Sequence, residues 1–241
     1  YNKLNNDVQS IARKQVRLQY VPKMYEIVRL TSDARMIHYQ SFSKGNESTV
    51  KNEWRKIDNA VNAFTSSIPS TDLAIGQVGA QLKGTANIVS KATTENLDPY
   101  HKLNIQAMTI NDVIAGSSDL FVDDAPESYL LGELMGQQVL PFAEAVGQLQ
   151  VYAAGAENRP FTLSEKENIV KILADVRSTS SNLTRVFEKT QARSMVTPEM
   201  EANMRRIKNG DALIAVVQKK LSTDQDAGYD PKAWKTFTDS I

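Results

Sequence analysis

The chain has 241 residues, room for one large domain or two small ones, and its 28 basic side chains balance 28 acidic ones. That balance leaves no long-range positive field to gather nucleic acid or an anionic membrane surface. With no cysteine, disulfides, thiolate zinc sites, iron–sulfur clusters and cysteine nucleophiles are all excluded, although compartment is left open.

The first pattern runs over about residues 2–43. Leu18, Val21, Tyr25, Val28, Ser32, Arg35, Tyr39 and Phe42 recur in alternating steps of three and four, the spacing of one helical stripe. As a continuous helix it would be roughly 60 Å long, with Pro22 bending it by deleting a hydrogen bond. Ser32 and Arg35 interrupt an otherwise apolar face. An arginine turned to a core needs an anion, because losing its hydration costs several kcal/mol. Two sources are open: an internal Asp or Glu, or a carboxylate-bearing ligand, since the planar fork suits either.

"SKGNES" turns the chain. A second helix then places Val50, Trp54, Ile57, Val61 and Phe64 on one side, ending near "SSIPST". A third covers about 71–95 and a fourth about 99–115. In the third, "GAQLKGTA" has its lysine before the second glycine and no leading strand, so it is read as close helix packing at Gly76, Gly79 and Ala80, not as a phosphate loop. The loop "GSSDLFVDDAPES" follows. Its acidic residues lack the alternating ligands and closing glutamate of a calcium loop, and it is read as a cap for the helix starting at Ser128.

The fifth helix carries Leu131, Met135, Gln138, Phe142, Ala145, Leu149 and Tyr152, with Pro141 inside it. The sixth opens on a capping box, Thr162 to Glu165, and offers Ile169, Ile172, Val176, Leu183 and Val186, with Thr179 on the same face. The seventh is read as one helix through Met200, Met204, Ile207, Ile214, Val217 and Leu221, and a short segment over 231–241 closes the chain. Asp98-Pro99, Thr197-Pro198 and Asp230-Pro231 read as helix caps followed by a first-turn proline. No stretch alternates with period two long enough to make a sheet. The expected fold is all-α: an elongated helical bundle over 1–241, built as two stacked four-helix-type modules that share long helices, with the boundary between them not fixed by the sequence.

Catalytic machinery is not evident. His38 and His101 sit in different helices without a metal-ligand partner at the right spacing, and are read as surface or pocket-rim residues. No serine has a histidine base and carboxylate placed beside it, so the expectation is a non-enzyme without metal or cofactor. No run of about 18 apolar residues could span a bilayer. Tyr1 opens the chain without a signal-peptide pattern, which leads us to expect a piece of a longer protein.

"SSDLFVDDAPESYLLGELMGQQVLPFAEAVGQLQVYAAGA", followed by "FTLSEKE", resembles the extracytoplasmic sensor regions of bacterial methyl-accepting chemotaxis proteins and related transmembrane sensor kinases. In that group an acidic loop leads into Ser-Tyr-Tyr-Leu, then Leu-Pro, Gly-Gln-Leu-Arg-Gly and a Leu-Thr-x-x-Glu helix start. Asp123, Ser128, Tyr129, Leu140, Pro141, Gly147, Gln148 and Leu149 match. Such sensors often carry His-Arg-Gly near the end of the first long helix, where this chain has Ala34, Arg35 and Met36. Gln150 stands where the family has its second arginine, so a ligand needing two guanidinium groups is not implied. "DPKAWKTFTDSI" is similar to the turn before a second transmembrane helix, and within that group the chain resembles the nitrate-sensing and helical bimodular sensor domains.

The resemblance implies a periplasmic ligand-binding domain of an inner-membrane receptor, joined to the membrane through flanking transmembrane helices and homodimeric through its long helices. A small, anionic molecule such as an organic acid would be held by Arg35, with Ser32, Tyr129 and Gln138 as hydrogen-bonding neighbours and Tyr39 and His38 at the rim. The alternative is a ligand-free helical domain that binds a partner protein or serves as a structural dimerisation module, with Arg35 neutralised from within.

Overall fold

A computed structural model describes residues 15–41, 47–93, 96–117, 126–155, 160–223 and 230–238, and these form an all-α helical bundle. Four helices make the first layer: α1 (Val21–Ser41), α2 (Glu47–Ser66), α3 (Leu73–Val89) and α4 (Asp98–Ser117). Each packs on the next, and α4 closes the ring against α1. The ring contacts fix the directions. The Tyr20 ring lies on Phe64 and His38 on Trp54, so α1 and α2 are antiparallel; His38 also meets Tyr100 while Ser32 meets Asn104, so α1 and α4 are antiparallel as well.

The N-terminal pattern is not one continuous helix. Residues 15–18 make a helical turn, Gln19 and Tyr20 form i→i+3 bonds to Val16 and Arg17, and α1 starts afresh at Val21. Pro22 explains the break: it has no N–H for the carbonyl four residues back, and in the first turn of a new helix that absence costs nothing. Leu18, placed on the stripe by spacing, is accordingly exposed. Residues 1–14, Phe42 and most of the acidic loop lie outside the described residues.

A second group follows: α5 (Pro126–Glu133), a π-helical turn (Leu134–Gln138) and α6 (Val139–Gly155) run on as one rod, then come α7 (Leu163–Gln191), α8 (Pro198–Asn209), α9 (Asp211–Thr223) and α10 (Pro231–Thr238). Three of the cap signals are realised, whereas Asp98, expected as a cap, is itself the first residue of α4, and the helix expected from Ser128 begins at Pro126. Thr162 and Glu165 exchange both bonds of the capping box, at 3.2 and 2.8 Å, Thr197 accepts from Met200 N–H, and Asp230 accepts from the N–H groups of Lys232 and Ala233.

Two apolar clusters result. Met24, Ile27, Ile57, Phe64, Ile75, Leu82, Leu103 and Ile110 build the first from α1–α4; Phe142, Leu149, Ile169, Val176, Leu183, Val186, Met204, Val217, Trp234 and Phe237 build the second from α6–α10. The helix α6 serves both, since Leu140 belongs to the first cluster and Phe142 to the second. It also packs along α1, parallel to it, which places one seam between the two cores.

The helix expected through residues 200–221 divides at Gly210. A Cβ there would lie 2.2 Å from Phe237 Cε2 and 2.3 Å from Cζ, so the chain turns where the Phe237 ring sits against bare backbone. Gly79 is tight as well, though less so, 2.7 Å from Ile68 Cδ1, whereas Gly76, grouped with it by spacing, faces open space. These contrasts give a paired expectation. Gly210→Ala must displace a packed ring and should lower stability by about 1–3 kcal/mol, while Gly76→Ala should raise it by about 0.5–1 kcal/mol through helix propensity alone; chemical denaturation of both variants checks the two signs.

Candidate functional site

Arg35 is 3% exposed, and its anion comes from inside the chain. Its Nη1 donates to Glu144 Oε1 at 2.8 Å and its Nη2 to Oε2 at 3.2 Å, a two-pronged contact from α1 to α6 between residues 109 apart in sequence. The carboxylate is gathered from three more directions. His101 Nδ1, on α4, lies 2.8 Å from Oε1; Gln148 Nε2, one turn along α6, donates to Oε1 at 3.0 Å; and Asn104 Nδ2, on α4, donates to Oε2. Because the acceptor is a carboxylate, the imidazole of His101 carries its proton on Nδ1.

Close approach of α1 and α6 depends on Gly147. A Cβ there would stand 2.8 Å from Arg35 Nη2 and 3.1 Å from Ser32 Oγ, so any side chain would fill the space the guanidinium occupies. Ser32 also receives a long bond, 3.4 Å, from Asn104 Nδ2. Among the described residues, Arg35 Nε and Asn104 Oδ1 are buried without a protein partner, so the network is not fully closed. Glu144 is sealed from water, but His101 is 40% exposed at its side chain, and the network therefore reaches solvent at His101 and Gln148.

The electrostatics follow from this geometry. Burial pushes the Glu144 carboxyl up, and the Arg35 charge together with hydrogen bonds from His101, Arg35 and Asn104 outweighs it, leaving the group below the usual carboxylate value. Beside this network, Trp54 Nε1 donates to Tyr100 Oη at 2.6 Å, and Tyr100 Oη lies 3.1 Å from His38 Nδ1. An indole N–H can only donate, so Tyr100 Oη accepts from Trp54 and keeps its own proton available for a bare His38 Nδ1. Burial lowers His38 in the same sense, and it pushes Tyr100 up to about 12.

The structure unites only part of the residues expected at the site. Arg35 and Ser32 are in the network. His38 is buried against Tyr100 and Trp54 instead of lining a rim, and Tyr39 is half-buried one turn beyond Arg35. Gln138 closes the π turn, and Tyr129 lies fifteen residues before Glu144 on the same rod, roughly 22 Å away along its axis. Neither reaches Arg35. Glu144, Asn104, His101 and Gln148 were not singled out from sequence as partners of Arg35. One signal did exist for Glu144: it is the only charged residue between Glu133 and Glu157, a lone carboxylate in an apolar helix. Thr179, read as a polar interruption of α7, donates back to the Asp175 carbonyl at 2.7 Å and stays local.

Among the described residues no group of three His, Asp or Glu side chains is placed to hold a metal, and no helix is long and apolar enough to cross a membrane. No family model, curated protein or solved structure matches the chain.

Arg35→Ala strands a buried carboxylate and should cost about 3–5 kcal/mol, or roughly 6–20 °C in Tm for a chain of this size. Arg35→Met with Glu144→Gln removes both charges and should recover most of that loss in the same melt. The titrations give a second expectation. His38 and Glu144 are both shifted down, so the unfolded chain takes up protons first as pH falls. His38 contributes its full stabilisation above 6.5 and loses it progressively below, and Glu144 follows as pH drops under 4.5. In denaturation curves collected between pH 7.5 and 5, His38→Phe should flatten the slope.

Proposed function

We propose that this chain is the extracytoplasmic sensor domain of a bacterial transmembrane chemoreceptor or sensor kinase. It would report a small anionic molecule by a shift among α1, α4 and α6, and would work as a homodimer in the periplasm, linked to the inner membrane by transmembrane helices flanking it. One observation carries the reading. The two patches that resemble the sensor family, Arg35 in α1 and Gly147-Gln148 in α6, meet in a single network, where Gly147 admits the guanidinium and Gln148 shares its carboxylate partner.

The geometry changes how a ligand would act. Arg35 already has its counter-charge, so an incoming oxyanion meets first the donors at the solvent-reached edge, His101 and Gln148, and competes with Glu144 for them. Releasing Glu144 loosens the only charged link between α1 and α6 among the described residues, and the helix arrangement responds to the difference in affinity for the two states.

A second reading has its own support. The pairing of Arg35 with Glu144 is what a ligand-free bundle requires, one that serves as a structural module or binds a partner protein. A thermal-shift screen of organic acids, amino acids and inorganic oxyanions separates the two. A sensor should gain about 5–10 °C at a ligand concentration of one hundred times Kd, and both His101→Ala and Gln148→Ala should erode the gain. No shift across the library gives preference to the partner-binding bundle, and a shift untouched by either variant places the ligand elsewhere.

A further inference from the structure

The rod from 126 to 155 holds one π-helical turn, Leu134–Gln138, in which Val139 N–H donates to Leu134 O, five residues back. Such a turn carries one residue more than the α register and is often found at functional positions. Continuing the five-residue register from here, the carbonyl of Gly136 would look to residue 141. That residue is Pro141, which has no N–H. The missing donor is supplied from another helix: Asn111 Nδ2, on α4, donates to Gly136 O at 3.0 Å and to Met135 O at 3.1 Å, and Tyr25 OH, on α1, donates to Met135 O at 2.8 Å.

In the α register only one carbonyl is left without a helical donor. Met135 O and Gly136 O would take the N–H groups of Val139 and Leu140, and the carbonyl orphaned by Pro141 would be that of Gln137. Gln137 is exposed, so water can satisfy it. In the π form the carbonyls of Met135, Gly136 and Gln137 share one helical donor, Leu140 N–H, so two go without, and what favours that form is the pair of side chains that hold it. Asn111 does so at a cost, with its own Oδ1 buried and unpartnered.

We propose that Leu134–Gln138 is a register switch latched by Asn111 and Tyr25, converting between π and α forms. Release of the latch turns α5 by about 100° and advances it about 1.5 Å relative to α6. Glu144, on the far side, keeps its place on Arg35, while the contact of Glu133 with Arg185 of α7, 3.2 Å, is lost. The switch stands on these contacts alone, whether or not the domain binds a ligand.

A chain without cysteine can be labelled uniquely. Nitroxides are placed at Tyr129→Cys on α5 and Lys171→Cys on α7, both exposed, and their separation is measured by pulsed electron resonance. The parent should give one distance. Asn111→Ala should add or substitute a second one, displaced by several ångström, since a side chain on the helix surface moves roughly 8 Å in such a turn; Tyr25→Phe, a gentler change, should give the same second distance in smaller proportion. Deleting Gln137 removes the extra residue and leaves both flanks in their parental positions, so this deletion combined with Asn111→Ala should return the single parental distance. An unchanged distance in both folded latch variants, or a shifted one in the deletion background, overturns the switch.

Discussion

The seam where α1, α4 and α6 meet is organised around the charge of Arg35. A guanidinium inside a helical core needs an anion in contact. Glu144 meets that requirement from another helix, and the need for the two to touch dictates how α1 and α6 lie together. Gly147 is a consequence, because nothing larger fits beside Nη2. So is the convergence of His101 and Asn104 from α4, whose hydrogen bonds add to the Arg35 charge in holding the carboxyl down against the upward push of burial.

The same seam joins the two cores. Leu140 packs with α1–α4 and Phe142 with α6–α10, and Glu144 follows one turn later. A rod shared between two apolar clusters couples them mechanically, and a polar contact at that position couples them more specifically than apolar packing does, because it tolerates little misalignment. The π turn just upstream belongs to this logic. Pro141 removes a donor where the rod passes between α1 and α4, and Tyr25 and Asn111, one from each, meet the exposed carbonyls. The ion pair holds one side of the turn and the latch holds the other.

Polar groups here divide by whether they act along a helix or across helices. Thr31, Thr65, Thr179 and Thr190 return their hydroxyls to carbonyls one turn back, and so sit in helices without a distant partner. Trp54, Tyr100 and His38 instead form a chain across α2, α4 and α1, opened by an indole that can only donate. That chain makes the folded state sensitive to acid at the same end of the bundle as the Glu144 network.

Helices, caps and apolar faces were legible in the sequence because they are local. The capping box at Thr162, the cap and proline at 197–198 and the stripe through Ile169, Ile172, Val176, Leu183 and Val186 depend on residues within a few turns, and spacing specifies them completely. Sequence also posed the right question at Arg35, since a charge on an apolar register must be answered. What answered it was decided by tertiary structure. Glu144 lies 109 residues away, and no periodicity links the two; only the packing of α6 along α1 does. The breaks at Pro22 and Gly210 divide on the same line: proline acts through its own missing N–H, a local property, whereas Gly210 is demanded by a Phe237 ring arriving from another helix. Local chemistry wrote the elements, and contacts between distant segments chose which polar groups would meet.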